Sequence, residues 1–283
     1  MKIKLLLLAA LLMFSSNTFA RDKNFWIYLC FGQSNMEGYP GVPDEYKTNV
    51  PSRFQVLATV DSPDQGRTKG HWYTAVPQLC RPYAGVSPVD FFGRTMVSNL
   101  PPKIRIGVVI VAVGGCKIEL FDKTNYQAYA ATAPSWMKGT IQEFGGDPYA
   151  RLVEMAKLAQ KDGVIKGILL HQGESNTGDK QWPVKVKGVY DNLLKDLKLK
   201  PKRVPLLAGE VVNANVGGIC AAMNPIIDSL PQTIPNCYVI SSKGCECRPQ
   251  DHLHFTPAGY RELGTRYADQ MLSLMGYPIA ATK

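Results

Sequence analysis

Phe25-Trp26-Ile27-Tyr28-Leu29-Cys30-Phe31, followed at once by Gly32-Gln33-Ser34-Asn35-Met36, is the stretch on which the reading of the fold turns. Seven consecutive apolar or aromatic residues without polar alternation describe a strand buried on both faces, and the glycine that ends the run describes a turn. Burial on both faces is the property of a parallel sheet covered by helices, so such runs should recur. They do, at 104–113, 164–170, 204–212 and 237–241, each rich in Val, Ile or Leu and bounded by Gly, Pro or polar residues. Between them, 89–100, 149–162, 184–199, 219–230 and 257–275 carry apolar residues at helical spacing. The alternation predicts a three-layer α/β/α sandwich on a five-stranded parallel sheet with right-handed crossovers. Ligands of such sheets bind outside the carboxyl ends of the strands. The loops after Phe31, Val113, Leu170 and Ser241 are therefore where function is expected.

The chain has 283 residues, 45% of them hydrophobic, enough for one domain with a full core. Its first residues, Met1-Lys2-Ile3-Lys4, are basic, the stretch to Phe14 is almost wholly apolar, and Thr18-Phe19-Ala20 ends in small residues at the positions a signal peptidase reads. Residues 1–20 are thus expected to be a signal peptide cleaved after Ala20. The expected mature domain is 21–283, exported to the periplasm or the medium. No later run of about 20 apolar residues predicts a membrane span.

Thirty-two Lys and Arg against 23 Asp and Glu give a formal charge of +9. The cations are scattered except over 195–203, where Lys alternates with Leu as on a solvated helix face, so no nucleic-acid partner is expected. The bias slightly favours acidic glycans. Of seven cysteines, Cys220, Cys237, Cys245 and Cys247 lie close together. Export favours disulfides among them, whereas Cys245-Glu246-Cys247 lacks the two-residue gap of a zinc motif, so neither metal nor cofactor is expected. The segments 38–88 and 121–147 are long loops. The first holds only a weak strand over 54–60, and its aromatics Trp72, Tyr73 and Tyr83 are candidates for contacting a substrate.

Ser34 stands on a strand-to-helix turn, where a serine exposes its hydroxyl and can offer its own N–H to a developing oxyanion. Read alone, it is more readily a helix N-cap, and the surrounding residues are not a Gly-x-Ser-x-Gly elbow. Asp251-His252-Leu253-His254 precedes the last predicted helix, and an acid three residues before a histidine can hold one ring nitrogen while the other faces a serine. Asp251 can reach back to His254 across one turn, which leaves His252 as a loop side chain. Gly114-Gly115 follows the strand 104–113, and His171-Gln172-Gly173-Glu174 follows 164–170. In the second loop Gln172 can donate to an oxyanion, and Glu174 reads as a buried hydrogen-bonding acid.

The ordered blocks Gly32 to Met36, Gly114-Gly115, Gln172 to Glu174 and Asp251 to His254 resemble the SGNH hydrolase superfamily. More narrowly, they resemble its sialate O-acetylesterase-like group and carbohydrate esterase family six, which contains acetyl xylan esterases. The resemblance covers nearly all of 21–283, including Gly85-Val86-Ser87-Pro88 before a helix. It implies a flavodoxin-like sandwich, metal-free acyl transfer and acetylated oligo- or polysaccharide substrates. It makes Ser34 the nucleophile and first oxyanion donor, Gly115 the second donor, and His254 with Asp251 the base and its orienting acid. Many members use an Asn where this chain has Gln172, so Gln172 is its expected substitute as third donor. The expected activity is deacetylation of xylan or related hemicellulose. A sialate O-acetylesterase is the nearer alternative, and a non-catalytic glycan-binding protein the more distant one.

Overall fold

A computed structural model describes residues 21–39 and 41–278; the expected signal peptide lies outside the described residues. The sheet has seven strands rather than five. In chain order they are β1 (Phe25–Gly32), β2 (Phe54–Leu57), β3 (Trp72–Thr74), β4 (Arg105–Ala112), β5 (Val164–His171), β6 (Leu206–Gly209) and β7 (Cys237–Ile240). Their order across the sheet is β3-β2-β4-β1-β5-β6-β7. All neighbours are parallel except β2 and β3, which pair antiparallel, so the sheet is mixed. The two additional strands come from the long segment after Gly38. β2 was foreshadowed by the weak pattern at 54–60. β3 has only three residues, half-buried or exposed, too few to show a period.

The apolar run that opens the chain's described part is the central strand, and all eight residues of β1 are buried. Alternate side chains feed two cores. Tyr28 packs edge-on against Phe92 of the helix Pro88–Asn99 on one face, and Phe31 packs against Phe121 on the other. The helix Pro257–Leu274 lies beside Pro88–Asn99, and the helices Pro148–Asp162 and Trp182–Asp196 complete the layers. Each of these four helices has Pro at its first or second position, where the missing N–H leaves no bond unmade.

The helix expected over 219–230 is broken into a 3₁₀ turn Ala221–Met223 and the short helices Asn224–Asp228 and Leu230–Thr233. Pro225 and Pro231 each lack the N–H that would continue the preceding turn's ladder, so each stands in the first turn of a new short helix. Disulfides are likewise not formed: all seven cysteines are free thiols.

The chain leaves β1 toward β4 and β2 and later returns past it to β5, so β1 is where the winding direction reverses. A crevice opens at the carboxyl end of such a strand, and Ser34 stands at its mouth.

Candidate active site

Gly32 makes the turn into Ser34 possible. Its φ is +154°, and a Cβ there would stand 2.0 Å from the His171 carbonyl oxygen. Only glycine lets the ends of β1 and β5 approach so closely, and the Gln33 N–H then donates to that carbonyl at 3.1 Å. The chain turns directly into the one-turn helix Ser34–Glu37. Ser34 is its first residue rather than its cap, since Gln33 holds the cap position.

His254 arrives from the far edge of the sheet. After β7 the chain crosses back as a small hairpin closed by the Cys247–Phe255 bridge and by the Arg248 N–H donating to the His254 carbonyl. Within it Asp251 Oδ1 accepts from the N–H groups of Leu253 and His254 at 2.9 and 3.0 Å. The same carboxylate lies 3.0 Å from His254 Nδ1, and His254 Nε2 lies 2.9 Å from Ser34 Oγ. Partial burial pushes the Asp251 carboxyl up, but the His254 and Leu253 N–H groups and the His254 ring outweigh it and hold the carboxyl below its usual range. An ionised carboxylate only accepts, so Nδ1 carries the proton and Nε2 is free to take one from the serine.

Opposite the histidine, Gly115 has φ +68°. Its loop is clamped on both sides: Glu37 Oε2 accepts the Gly114 N–H at 2.7 Å, and Ser175 Oγ donates to the Gly115 carbonyl at 2.8 Å. Burial raises the Glu37 carboxyl above its usual range, with the Arg81 guanidinium and the Gly114 N–H opposing. The N–H groups of Ser34 and Gly115 make no hydrogen bond among the described residues, and both residues line one cavity of about 620 Å³. Two unengaged donors beside a serine hydroxyl are suited to a developing oxyanion.

Gln172 is not a third donor. It is buried below the cavity, where its amide nitrogen stands within hydrogen-bonding distance of Gln33 Oε1, the Cys116 carbonyl and Asn176 Oδ1 (3.1, 3.2 and 2.8 Å), and its carbonyl accepts from the Trp182 indole. With acceptors enough for both its hydrogens it braces the loops and faces no substrate. Trp72 and Tyr73 are not brought to the site either. Trp72 donates to Asp162 and packs on Phe25 at the amino end of β1, and Tyr73 accepts from the Thr68 N–H. The aromatics that do border the cavity are Tyr39, Tyr83 and Trp136.

Three further residues went unread in the sequence. Asn35 joins the two halves of the site: Nδ2 donates to Glu174 and to the Leu253 carbonyl, and Oδ1 accepts from Tyr260 Oη at 2.7 Å. Glu37, one helical turn from Ser34, had a signal in its i, i+3 spacing. Arg248 donates to Asp251 Oδ2 at 2.9 Å and lies over the Tyr39 ring, which itself covers the His254 ring at 4.4 Å. No sequence spacing announces that stack.

A probable carbohydrate esterase of Arabidopsis thaliana is 25% identical to this chain over 260 residues, covering 87% of the chain and 90% of the relative. An Arabidopsis thaliana structure superposes with a TM-score of 0.66 at 22% identity, over 89% of this chain and 99% of the other. NanS does so at 0.64 and 17%, over 91% and 99%. A carbohydrate acetylesterase from Xanthomonas citri does so at 0.63 and 18%, over 89% of this chain and 57% of its own. At these identities the superpositions speak for the fold. The family model described as carbohydrate esterase, sialic acid-specific acetylesterase, matches residues 24–273, so the chain belongs to that family of esterases.

Proposed function

We propose that this esterase is an SGNH-type serine hydrolase that removes acetyl groups from a neutral acetylated polysaccharide, xylan or a related hemicellulose. The observation that carries the reading is the line of two hydrogen bonds, 3.0 Å from Asp251 to His254 and 2.9 Å from His254 to Ser34. His254 takes the Ser34 proton on Nε2 as Oγ bonds to the acetyl carbon, and the carbonyl oxygen becomes an oxyanion facing the N–H groups of Ser34 and Gly115. The C–O bond to the sugar then breaks, and His254 returns its proton to the leaving sugar oxygen. A water molecule deprotonated by the same nitrogen attacks the acetyl-enzyme, releasing acetate and the serine hydroxyl.

A neutral sugar is favoured by the charges of the cavity. Among the described residues the guanidinium in its lining is Arg81, which is paired with Glu37 and also reaches Glu143, while Glu174 adds a second acid. A sialate carboxylate would meet no uncompensated cation there, and desolvating an unpaired charge is costly. Residues 1–20 act as the export signal, and 21–283 form one esterase domain.

The test is acetate release from acetylated xylan and from O-acetylated sialic acid by the wild type and Ser34→Ala. Release from xylan, reduced at least about 10³-fold in the variant, is the expected result. Preference for the sialic acid moves the substrate to acidic glycans and leaves the mechanism standing, whereas undiminished turnover by Ser34→Ala overturns the mechanism.

A further inference from the structure

Among the described residues six large apolar side chains are exposed, and four of them, Tyr39 (42%), Tyr83 (84%), Trp136 (60%) and Ile219 (66%), border the Ser34 cavity. Exposed apolar side chains scattered singly need no explanation, but their gathering at one mouth marks a binding surface. Tyr83 adds a second sign. Its φ of +68° places a bulky side chain in backbone space that disfavours it. The segment thus bears a conformational cost to hold a phenol in water, where it gains nothing for the core. Such costs persist where they serve binding or catalysis.

The four side chains come from separate parts of the chain. Tyr39 follows the nucleophile helix and covers the His254 ring. Ile219 rides on a loop whose N–H donates to the His252 carbonyl. Across the serine, Trp136 opens the helix Ser135–Glu143 and lies against Gly115, where a Cβ would stand 2.7 Å from its ring. The leaving oxygen must face His254, while the oxyanion faces Gly115, so these surfaces flank the reacting ester on both sides.

We propose that Tyr83 and Trp136 form subsites for neutral pyranose rings beyond the acetylated one, so that the enzyme recognises a stretch of oligosaccharide and not a single sugar. The proposal rests on the deacetylase reading above. An aromatic face receives the C–H face of a pyranose ring without demanding a charge on it, which suits a cavity whose guanidinium is already paired. The acetyl slot needs no help from these rings, because acyl transfer is complete at Ser34, His254 and Gly115.

The experiment compares kcat/KM for an acetylated xylo-oligosaccharide with that for the acetylated methyl xyloside, in the wild type, Tyr83→Ala and Tyr83→Phe. The wild type is expected to prefer the oligosaccharide. Tyr83→Ala should lower the oligosaccharide-to-monosaccharide ratio about five- to tenfold, chiefly through KM, and Tyr83→Phe, which keeps the ring, should retain it. A wild type that deacetylates both sugars equally, or a ratio unmoved by Tyr83→Ala, overturns the subsite and leaves the deacetylase standing. Failure of the wild type on both sugars, with p-nitrophenyl acetate also untouched, overturns the reading on which the subsite rests.

Discussion

Two pairs of a histidine and an acid, each three residues apart, lie within reach of the nucleophile turn, and the fold gives them opposite roles. His254 and Asp251 meet at 3.0 Å with the imidazole turned to Ser34. His171 and Glu174 sit at the end of β5 behind the serine, with 3.7 Å between Nε2 and Oε1, too long for a good hydrogen bond. His171 is fully buried, and neither ring nitrogen has a hydrogen-bond partner among the described residues. Glu174 spends one oxygen on Asn35 and shows only its edge to the cavity. Asp251 and His254 are hydrogen-bonded in line with a serine hydroxyl, whereas Glu174 is held by Asn35, and His171 only by packing on Phe255. The difference is whether a nucleophile stands at the free ring nitrogen.

The comparison breaks most sharply at the acids. Asp251→Asn should lower kcat about 10³–10⁴-fold, because an amide no longer enforces the required tautomer or stabilises the imidazolium. Its thermal midpoint should scarcely move, as Asp251 is partly exposed. Asn35→Ala cuts the strut between the two pairs and should lower kcat about tenfold to a hundredfold by letting the His254 hairpin drift from Ser34. Crosslink-like recovery by Asn35→Asp is not expected, since a second carboxylate would face Glu174. Measured together, kcat and thermal midpoint separate lost alignment from lost folding.

Glu174→Gln should have the smallest catalytic effect, within about tenfold, and should instead cost about 1–3 kcal/mol of stability. Burial raises the Glu174 carboxyl, but the His171 ring, acting through space across 3.7 Å rather than by a hydrogen bond, and the Asn35 amide outweigh it and hold it below its usual range. A group whose folded value lies below its unfolded one contributes stability above the unfolded value, about 4.3 for Glu, and loses it as the pH falls through the folded value. The deficit of Glu174→Gln against wild type should therefore be full at neutral pH and shrink below about pH 4. Denaturant midpoints across that range check it. A larger loss of kcat in Glu174→Gln than in Asp251→Asn would reverse the two roles.

The buried strands of the sheet were legible because burial on both faces writes itself as an unbroken apolar run, as from Phe25 to Phe31. That the loops bearing Ser34, Gly115 and His254 meet was legible because a parallel sheet presents the loops after its strands at one end. The strand Trp72–Thr74 was not, because three half-exposed residues have no period to read. Nor were Tyr39 and Trp136 at the cavity rim and the clamp formed by Glu37 and Ser175, whereas Tyr83 was a candidate from its place in the long loop. Which face of a long loop meets the cavity is set by partners distant in the sequence, as His254 is from Tyr39, and no local spacing records that.

Composition and pattern by themselves determined the layered α/β architecture, the end of the sheet that carries the site, and the residue types able to transfer an acyl group. Only the tertiary structure decided that Gln172 is a buried brace and that Trp72 lies at the wrong end of β1. It likewise decided that Trp136 and Ile219 border the cavity and that Glu37 and Ser175 clamp the Gly115 loop. The physical reason is common to all of these. Burial and periodicity are properties of a segment, whereas a hydrogen bond's partner and a side chain's exposure are properties of what the rest of the chain brings against it.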